Sequence, residues 1–501
     1  MEYAQESGLP HSESTGLAPK SPETIFLDGS TLEGGGQLVR IAICLSALIG
    51  RAVVIKNIRA NRLGKTGLKG SHEAAIKLLA EISGSQVTNV FVGSKGITFT
   101  PPQAGDMANQ RVSLKTQPRN RGSVSLVSLE SISVKSQYRI RMHTAGSICL
   151  IFQALYPYML HVGRKATTEA ITINIVGGTN GSGCPSYDYV SQVVIPNFAR
   201  LGLPPLSIGL HKRGWTTGPH SMGEMSFVIQ PLQKYEETSC KAPSASRFPH
   251  IDMTNHERGR ITRIDITVLA PSDTLEQVDE DGLALTVMDY IVRETHRRLR
   301  KALKTLDSSP SMEHSARESN RVPIKIYLTE PTFHYAQVSI LLVAHTANGF
   351  RIGCDSLLGD TPKTKGGKKN SEKHQMFPRG QRRAPNRSND EAHLERVSNM
   401  IDNCVNDFLK ELAETLDDTR AHGAQGDGEH DRPLALKLPC LDSYMRDQIV
   451  IFEALGRLGH TTEEVHDKVL SEEAEITEHQ RYWTLHTKTA QWVCEQMLSE
   501  I

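Results

Sequence analysis

Four times in its first two hundred residues the chain runs from a glycine-marked turn into an apolar helical pattern, and this recurrence restricts the fold more than any other feature. The stretches are LDGSTLEGGGQLVR (27–40), IRANRLGKTGLKGSH (58–72), MHTAGSICLIFQ (142–153) and VGGTNGSGCPSYDY (176–189). After the first, Leu38, Ile41, Ala42, Leu45 and Leu48 recur at helical spacing, which places Gly34, Gly35 and Gly36 at a helix N-terminus, where unpaired N–H groups attract phosphate. Two readings stay open for each stretch: a tight turn ahead of a core helix, or part of an anion site. No Gly-Lys-Ser/Thr closes the first one and no Gly-x-Gly-x-x-Gly occurs in it, so it is neither a P-loop nor a dinucleotide fingerprint. The set says more than its members, because several helix N-termini can converge on one polyphosphate.

Between these stretches, β-type runs (VVIKNI, GITFTP, ITINIV) alternate with amphipathic helices from Thr24 to about Leu203, which predicts an α/β, or α+β layered, core. Ser71 is expected to cap a helix carrying Ala75, Leu78, Leu79 and Ile82, with Gly84 after it. After about Pro231 the composition shifts to a polar loop, and a second set of elements follows. ITRIDITVLA reads as a strand, Val287 to Leu303 as a long helix, and VPIKIYLTE with QVSILLVAHTANGFRIG as a strand and a hairpin. Residues 231–358 therefore read as a small inserted α/β domain between a first core segment, 24–230, and a C-terminal core segment, 393–501. Helices are expected at 393–412, 443–456 and 487–499. Residues 1–23 read as a disordered leader and 418–432 as a polar loop insertion.

The run 359–392 reads as a basic, disordered insertion: residues 363–387 hold nine Lys or Arg against one acid and have no apolar period. A solvated loop and a nuclear-import or RNA-tethering segment are equally served by that composition. Over the whole chain 57 Lys and Arg balance 56 Asp and Glu for a net charge of +1, so a nucleic-acid partner would need a local patch. Eight cysteines without Cys-x-x-Cys or metal-ligand spacing read as reduced thiols of an intracellular protein. The polar N-terminus and the lack of a long apolar run predict a soluble protein with no membrane partner.

Chemistry-bearing side chains gather in the same stretches. Arg59, Arg62, Lys65, Lys69 and His72 form a Gly-punctuated basic segment suited to phosphates, Glu33 and Arg40 flank the glycine triplet, and Gln153 interrupts an apolar face. His486 lies in the short polar run LHTKTA, just before or at the start of a C-terminal amphipathic helix.

In order along the chain, LDGSTLEGGGQLVR, IRANRLGKTGL with its histidine, TAGSICLIFQALYP, VGGTNGSGCPSYDY, LDSYMRDQIVIFEAL and LHTKTA together resemble the RNA 3'-terminal phosphate cyclase family. The resemblance implies repeated βαβαββ units with a small inserted α/β domain. It implies ATP-dependent conversion of RNA 3'-phosphate ends to 2',3'-cyclic phosphates through a histidyl-AMP intermediate on His486. Carried onto this chain, Glu33 would hold a divalent metal (Mg or Mn), and Arg40, Arg59, Arg62 and His72 would contact phosphates or the RNA end. Gln153, Tyr444, Asp447 and Gln448 would bind ATP. RNA 3' ends would be the partner and the nucleus the expected location. A non-catalytic branch of the superfamily, acting in ribosome assembly, is the alternative, and retention of LHTKTA and LEGGGQ argues against it. The chain departs from the family pattern at Gly70-Ser71, at Asn180, and in GWTTGPHSMGEM, where a Gly-rich segment is expected; it also stops soon after EQML, where members continue into another strand.

Overall fold

The computed structural model describes residues 24–62, 64–102, 126–127, 133–165, 169–232, 248–278, 284–307, 322–359, 387–412, 439–458 and 482–499. The expected leader, the 418–432 loop and most of the basic run lie outside the described residues. Two units with the same topology build the first half. In the first, β1 (Ile25–Asp28), α1 (Gly36–Ile49), β2 (Val53–Lys56), α2 (Gly70–Ser83), β3 (Gln86–Thr88) and β4 (Ile97–Thr100) give a sheet of order β1-β2-β4-β3. β1 and β2 run parallel, and the remaining pairs antiparallel. The second repeats this with β5 (Gln137–Arg141), α3 (Ile148–Val162), β6 (Ile171–Gly177), a helix over 187–200 called α4, β7 (Leu206–Lys212) and β8 (Gly223–Ile229), ordered β5-β6-β8-β7. The expected βαβαββ repeat is present twice. α4 is π-helical over Val190–Val194, and Ser186 caps it by accepting the Tyr189 N–H.

Strand alternation is simple: Ile25 and Leu27 point inward, Phe26 and Asp28 outward. α1 is buried almost all round because α2, α3 and the C-terminal helix surround it; it stops at Gly50, whose φ of 69° is left-handed. Phe152 and Phe227 stack at 4.0 Å, and Tyr156, Phe198 and Phe452 close the middle of this core. The C-terminal helices α7 (Ser443–Arg457) and α8 (Leu485–Leu498) pack against each other, and α8 packs on α1.

A third four-stranded sheet, order β12-β9-β13-β14, is built from β9 (Ile261–Pro271), β12 (Ile324–Thr332), β13 (Ser339–Thr346) and β14 (Arg351–Leu357), with the hairpin β10 (Thr274–Val278) and β11 (Ala284–Thr286) ahead of α5 (Val287–Asp307). Ile264, Ile266 and Val268 face the helices α5 and α6 (Arg387–Leu412). The intervening residues face the first core, where Thr267 meets Gln192 at 3.0 Å. Because both faces are covered, β13 is nearly continuous in apolar burial.

Two expectations need correction. Residues 393–412 are expected in the C-terminal core, but α6 packs its Val397, Ile401, Val405 and Phe408 stripe on α5 and β14 in the second core; helical periodicity identifies an apolar face without naming the sheet it meets. Ser71 does not cap α2, which starts at Gly70 after Lys69. The His72 ring takes the capping role, its Nδ1 accepting the Lys69 N–H at 3.2 Å.

Two buried charged groups join the parts. Arg213, between β7 and β8, donates bidentately to Asp188 (2.7 and 3.1 Å) and to Glu330 of β12 (2.7 Å twice). Removing it would strand the buried Asp188 carboxylate, a loss of about 3–5 kcal/mol. Asp442 accepts from the Tyr189 hydroxyl (2.5 Å), the Gly353 N–H (2.8 Å) and the Tyr444 and Met445 N–H groups that open α7.

Burial, reinforced by Glu411, pushes the Asp442 carboxyl from 3.8 up to about 7. A proton held more tightly in the folded chain stabilises the fold fully at low pH, and that contribution is lost as pH rises from about 4 through about 7. Asp442→Asn should remove this slope: between pH 4 and 7.5, wild-type stability in denaturant titrations should fall by up to about 4 kcal/mol more than the variant's. Parallel pH profiles would refute the assignment.

Candidate active site

The turn after β1 brings the glycine triplet to the first turn of α1. Gly34 needs its left-handed φ of 60°, and a Cβ there would also meet the Gly29 carbonyl oxygen at 2.9 Å. Gly35 and Gly36 are required by what lies against them. A Cβ on Gly35 would stand 2.6 Å from Glu33 Oε2 and 2.9 Å from Arg62, and one on Gly36 would overlap the His72 ring at Nε2. The triplet is thus a floor on which three functional side chains rest.

Glu33 pairs through Oε1 with Arg62 and through Oε2 with His486 Nδ1 at 3.0 Å. Its own N–H donates to Thr489 Oγ1 at 3.2 Å, and that hydroxyl donates to the Leu485 carbonyl at 2.7 Å. Thr489 therefore ties the turn before α1 to the first turn of α8, which carries His486. Thr484 caps α8 by accepting the Thr487 N–H. A carboxylate on Nδ1 assigns the proton of the neutral imidazole to that atom and leaves a lone pair on Nε2. About half of the His486 side chain is exposed.

From α7, Asp447 reaches the same region. Burial pushes its carboxyl up to about 6, against the stabilising influence of His486, Gln448, Arg40 and Gln37. Burial lowers the Arg40 guanidinium to about 10, opposed by Asp447 and Cys184. Lys69 is lowered by burial and then by Arg59 and Arg62. His72 is held well below the ordinary 6.5 by burial and by Arg40, Arg59 and Lys69, so it stays neutral; with Nδ1 accepting from Lys69, its proton sits on Nε2. These cations raise the cost of one another's charge, which an arriving anion would relieve.

A cavity opens beside them, lined by the polar Gln37, Arg40, Gln153, Asp447 and Gln448 and by the apolar or aromatic Phe152, Tyr156, Phe198 and Phe452. Glu33, Arg40, Arg62, His72, Asp447 and His486 thus come together, with Gln153 and Gln448 lining the adjoining cavity. Arg59 also fixes the basic loop, since from a backbone φ of 59° its Nη1 donates to the Lys65 and Gly67 carbonyls at 3.0 and 3.1 Å. Tyr444, 60% exposed at the start of α7, is not among the residues lining the cavity.

Sequence reading missed Thr489 and Gln37; the second threonine of LHTKTA is the visible signal. Asn180, where the family pattern has an acid, accepts from Thr179 Oγ1 at 2.8 Å and from Arg213 at 3.3 Å, so its side chain belongs to the Arg213 clamp. Among the described residues no group of three or more His, Cys, Asp or Glu side chains could by itself hold a metal, and no helix is long and apolar enough to cross a membrane.

The family model described as RTC, RNA 3'-terminal phosphate cyclase, matches residues 31–500. Among similar proteins, an RNA 3'-terminal phosphate cyclase of Koribacter versatilis is 27% identical over 290 residues, 56% of this chain and 71% of that protein. One of Drosophila melanogaster is 30% identical over 208 residues, 42% of this chain and 47% of that protein. One of Methanococcoides burtonii is 33% identical over 207 residues, 41% of this chain and 51% of that protein.

Gly36→Ala separates fold from site. Its φ is not left-handed and α1 accepts alanine, so melting should stay within a few degrees, while the His72 ring must leave its place. By NMR, the His72 imidazole should then titrate near the ordinary 6.5, in contrast to the depressed wild-type group. A variant with an unchanged His72 titration would disprove the contact.

Proposed function

The chain belongs to the RNA 3'-terminal phosphate cyclase family, and on that premise we propose that it converts RNA 3'-phosphate ends to 2',3'-cyclic phosphates with ATP through AMP carried on His486. The observation that carries the reading is the His486 imidazole held through Nδ1 by Glu33 beside the basic cluster and the Gln153 cavity. Its Nε2 lone pair attacks the α-phosphorus of ATP: the N–P bond forms, the bond to the β-phosphate oxygen breaks, and pyrophosphate leaves. A 3'-phosphate oxygen of the RNA then attacks the same phosphorus and displaces the imidazole. Glu33 favours this departure, since its carboxylate stabilises the cation that would form if the ring were protonated. Last, the 2'-hydroxyl attacks the 3'-phosphorus, AMP leaves, and the hydroxyl proton passes to solvent or to a nearby base.

Arg40, Arg62 and Lys69 would neutralise phosphate charge during each transfer. Arg59 would keep their loop in place, and His72 would offer its Nε2 proton as a neutral donor. Gln153 and Gln448 would bind the nucleotide, with Asp447 bridging toward His486; Tyr444, which does not line the cavity, keeps a nucleotide role only by the family resemblance. Among the described residues, both buried Glu33 carboxylate oxygens accept nothing beyond their ion pairs with Arg62 and His486, a hard-oxygen donor that fits a divalent cation completed by substrate phosphates. Such an ion, Mg or Mn, would supply charge neutralisation at the phosphates. The same reading includes a nuclear location served by the basic run 363–387.

Incubation with ATP labelled at the α-phosphate and a divalent metal should give acid-labile covalent AMP on the wild-type protein and none on folded His486→Ala. The label should also vanish on chelation. Persistent label on His486→Ala would overturn the assignment of the nucleophile. A folded wild-type protein that binds ATP but takes no label would overturn the proposed transfer.

A further inference from the structure

We propose that Phe333 and Tyr335 form an aromatic ridge that binds the single-stranded RNA leading into the His486 site. The proposal rests on the reading of that site as one for RNA 3' ends. Phe333 is 101% exposed and Tyr335 54%. They follow directly after β12, the edge strand of the third sheet.

The ridge is continuous with the basic cluster. Cys184 is an electrostatic neighbour of Lys69 and Arg40, and its thiol donates to the Gly181 carbonyl at 3.2 Å. Gly181 packs on Thr216, whose Oγ1 accepts the Ser182 N–H at 3.3 Å. Two residues on, Gly218, at a left-handed φ of 63°, lies so close to the His334 ring that a Cβ would stand 2.7 Å from its Nδ1. The His334 and Tyr335 rings pack tilted with centroids 4.3 Å apart, and His393 of α6 meets Tyr335 edge-on at 5.5 Å. Tyr335 is therefore held in place while more than half of its surface stays open to solvent, and Phe333 projects freely beside it.

Isolated ring faces separated by hydroxyls and imidazoles suit nucleobases, because every base has a π-face and stacks without sequence demands. A protein partner would call for a contiguous apolar patch in place of single rings. Charge agrees with RNA, since these contacts lead from the rings toward the cations Arg40 and Lys69.

The test is fluorescence anisotropy with labelled, unpaired RNAs of about three and about ten nucleotides ending in a 3'-hydroxyl, lengths chosen below and within the span that such tracks cover. It uses the full chain as wild type and as Phe333→Ala/Tyr335→Ala, with AMP labelling run alongside. The double variant should bind the longer RNA about ten-fold more weakly, bind the shorter one like wild type and keep its AMP labelling. Phe333→Tyr/Tyr335→Phe should restore the affinity. Equal binding of the longer RNA by wild type and double variant would overturn the ridge. So would a variant that loses self-association in light scattering in place of RNA affinity, which would assign the rings to a second copy of the chain. Ring-dependent RNA binding in a wild-type protein that takes no AMP label would uphold the ridge while removing the proposed activity.

Discussion

The Asp442 carboxylate is the point on which the arrangement of the molecule depends. It accepts from Tyr189 of the second repeat, from Gly353 of the third sheet and from the two N–H groups that start α7. α7 then delivers Asp447 and Gln448, one and a half turns further on, to the cavity beside α1. Without that junction the helix could start elsewhere and each of its site residues would turn to another face. The carboxyl has a raised affinity for its proton because the junction is dry, so the same burial that fixes α7 makes its anchor sensitive to pH. The Arg213 clamp holds the opposite flank of that sheet with four hydrogen bonds.

Much of the fold could be read along the chain because its signals are local. Strand runs with a period of two, glycines after helices and polar residues before them place β2, β4, β6 and α4 within a residue or two of where they stand. The six ordered motifs point to Glu33, Arg40, Arg62, His72, Asp447 and His486, which meet in space although 453 positions separate the first from the last. What stayed hidden depends on partners distant in sequence. α6 shows an apolar stripe that would suit either core, and only the proximity of β14 decides which one it covers. Asn180 reads as a lost acid in a motif, yet its significance comes from Arg213, thirty-three residues away.

The glycine triplet shows how a local signal can carry long-range information. Gly34 is explained within its own turn, by a left-handed φ and the close approach of the Gly29 carbonyl. Gly35 and Gly36 are there because Glu33, Arg62 and His72 occupy the space their side chains would fill, and one of these three groups comes from a loop after β2 and another from α2. A run of small residues ahead of a helix thus encodes the approach of side chains from elsewhere in the repeat, besides the bend of its own backbone. The neutral His72 depends on the same packing, since an imidazole in water beside the same residues would not be so strongly depressed.

Electrostatics then explains why a chain of nearly zero net charge can present an anion site. Arg40, Arg59, Arg62 and Lys69 are four cations set against the two carboxylates of Glu33 and Asp447, and one of those carboxylates is weakened as an acid by burial. The local surplus is positive although the whole chain carries only +1. Such a surplus acts over about 8 Å at physiological ionic strength, so it draws phosphates at close range and gives little long-range steering. Longer RNA would then have to be held by contacts that do not depend on charge, and exposed rings reached through the 181–218 surface are of that kind.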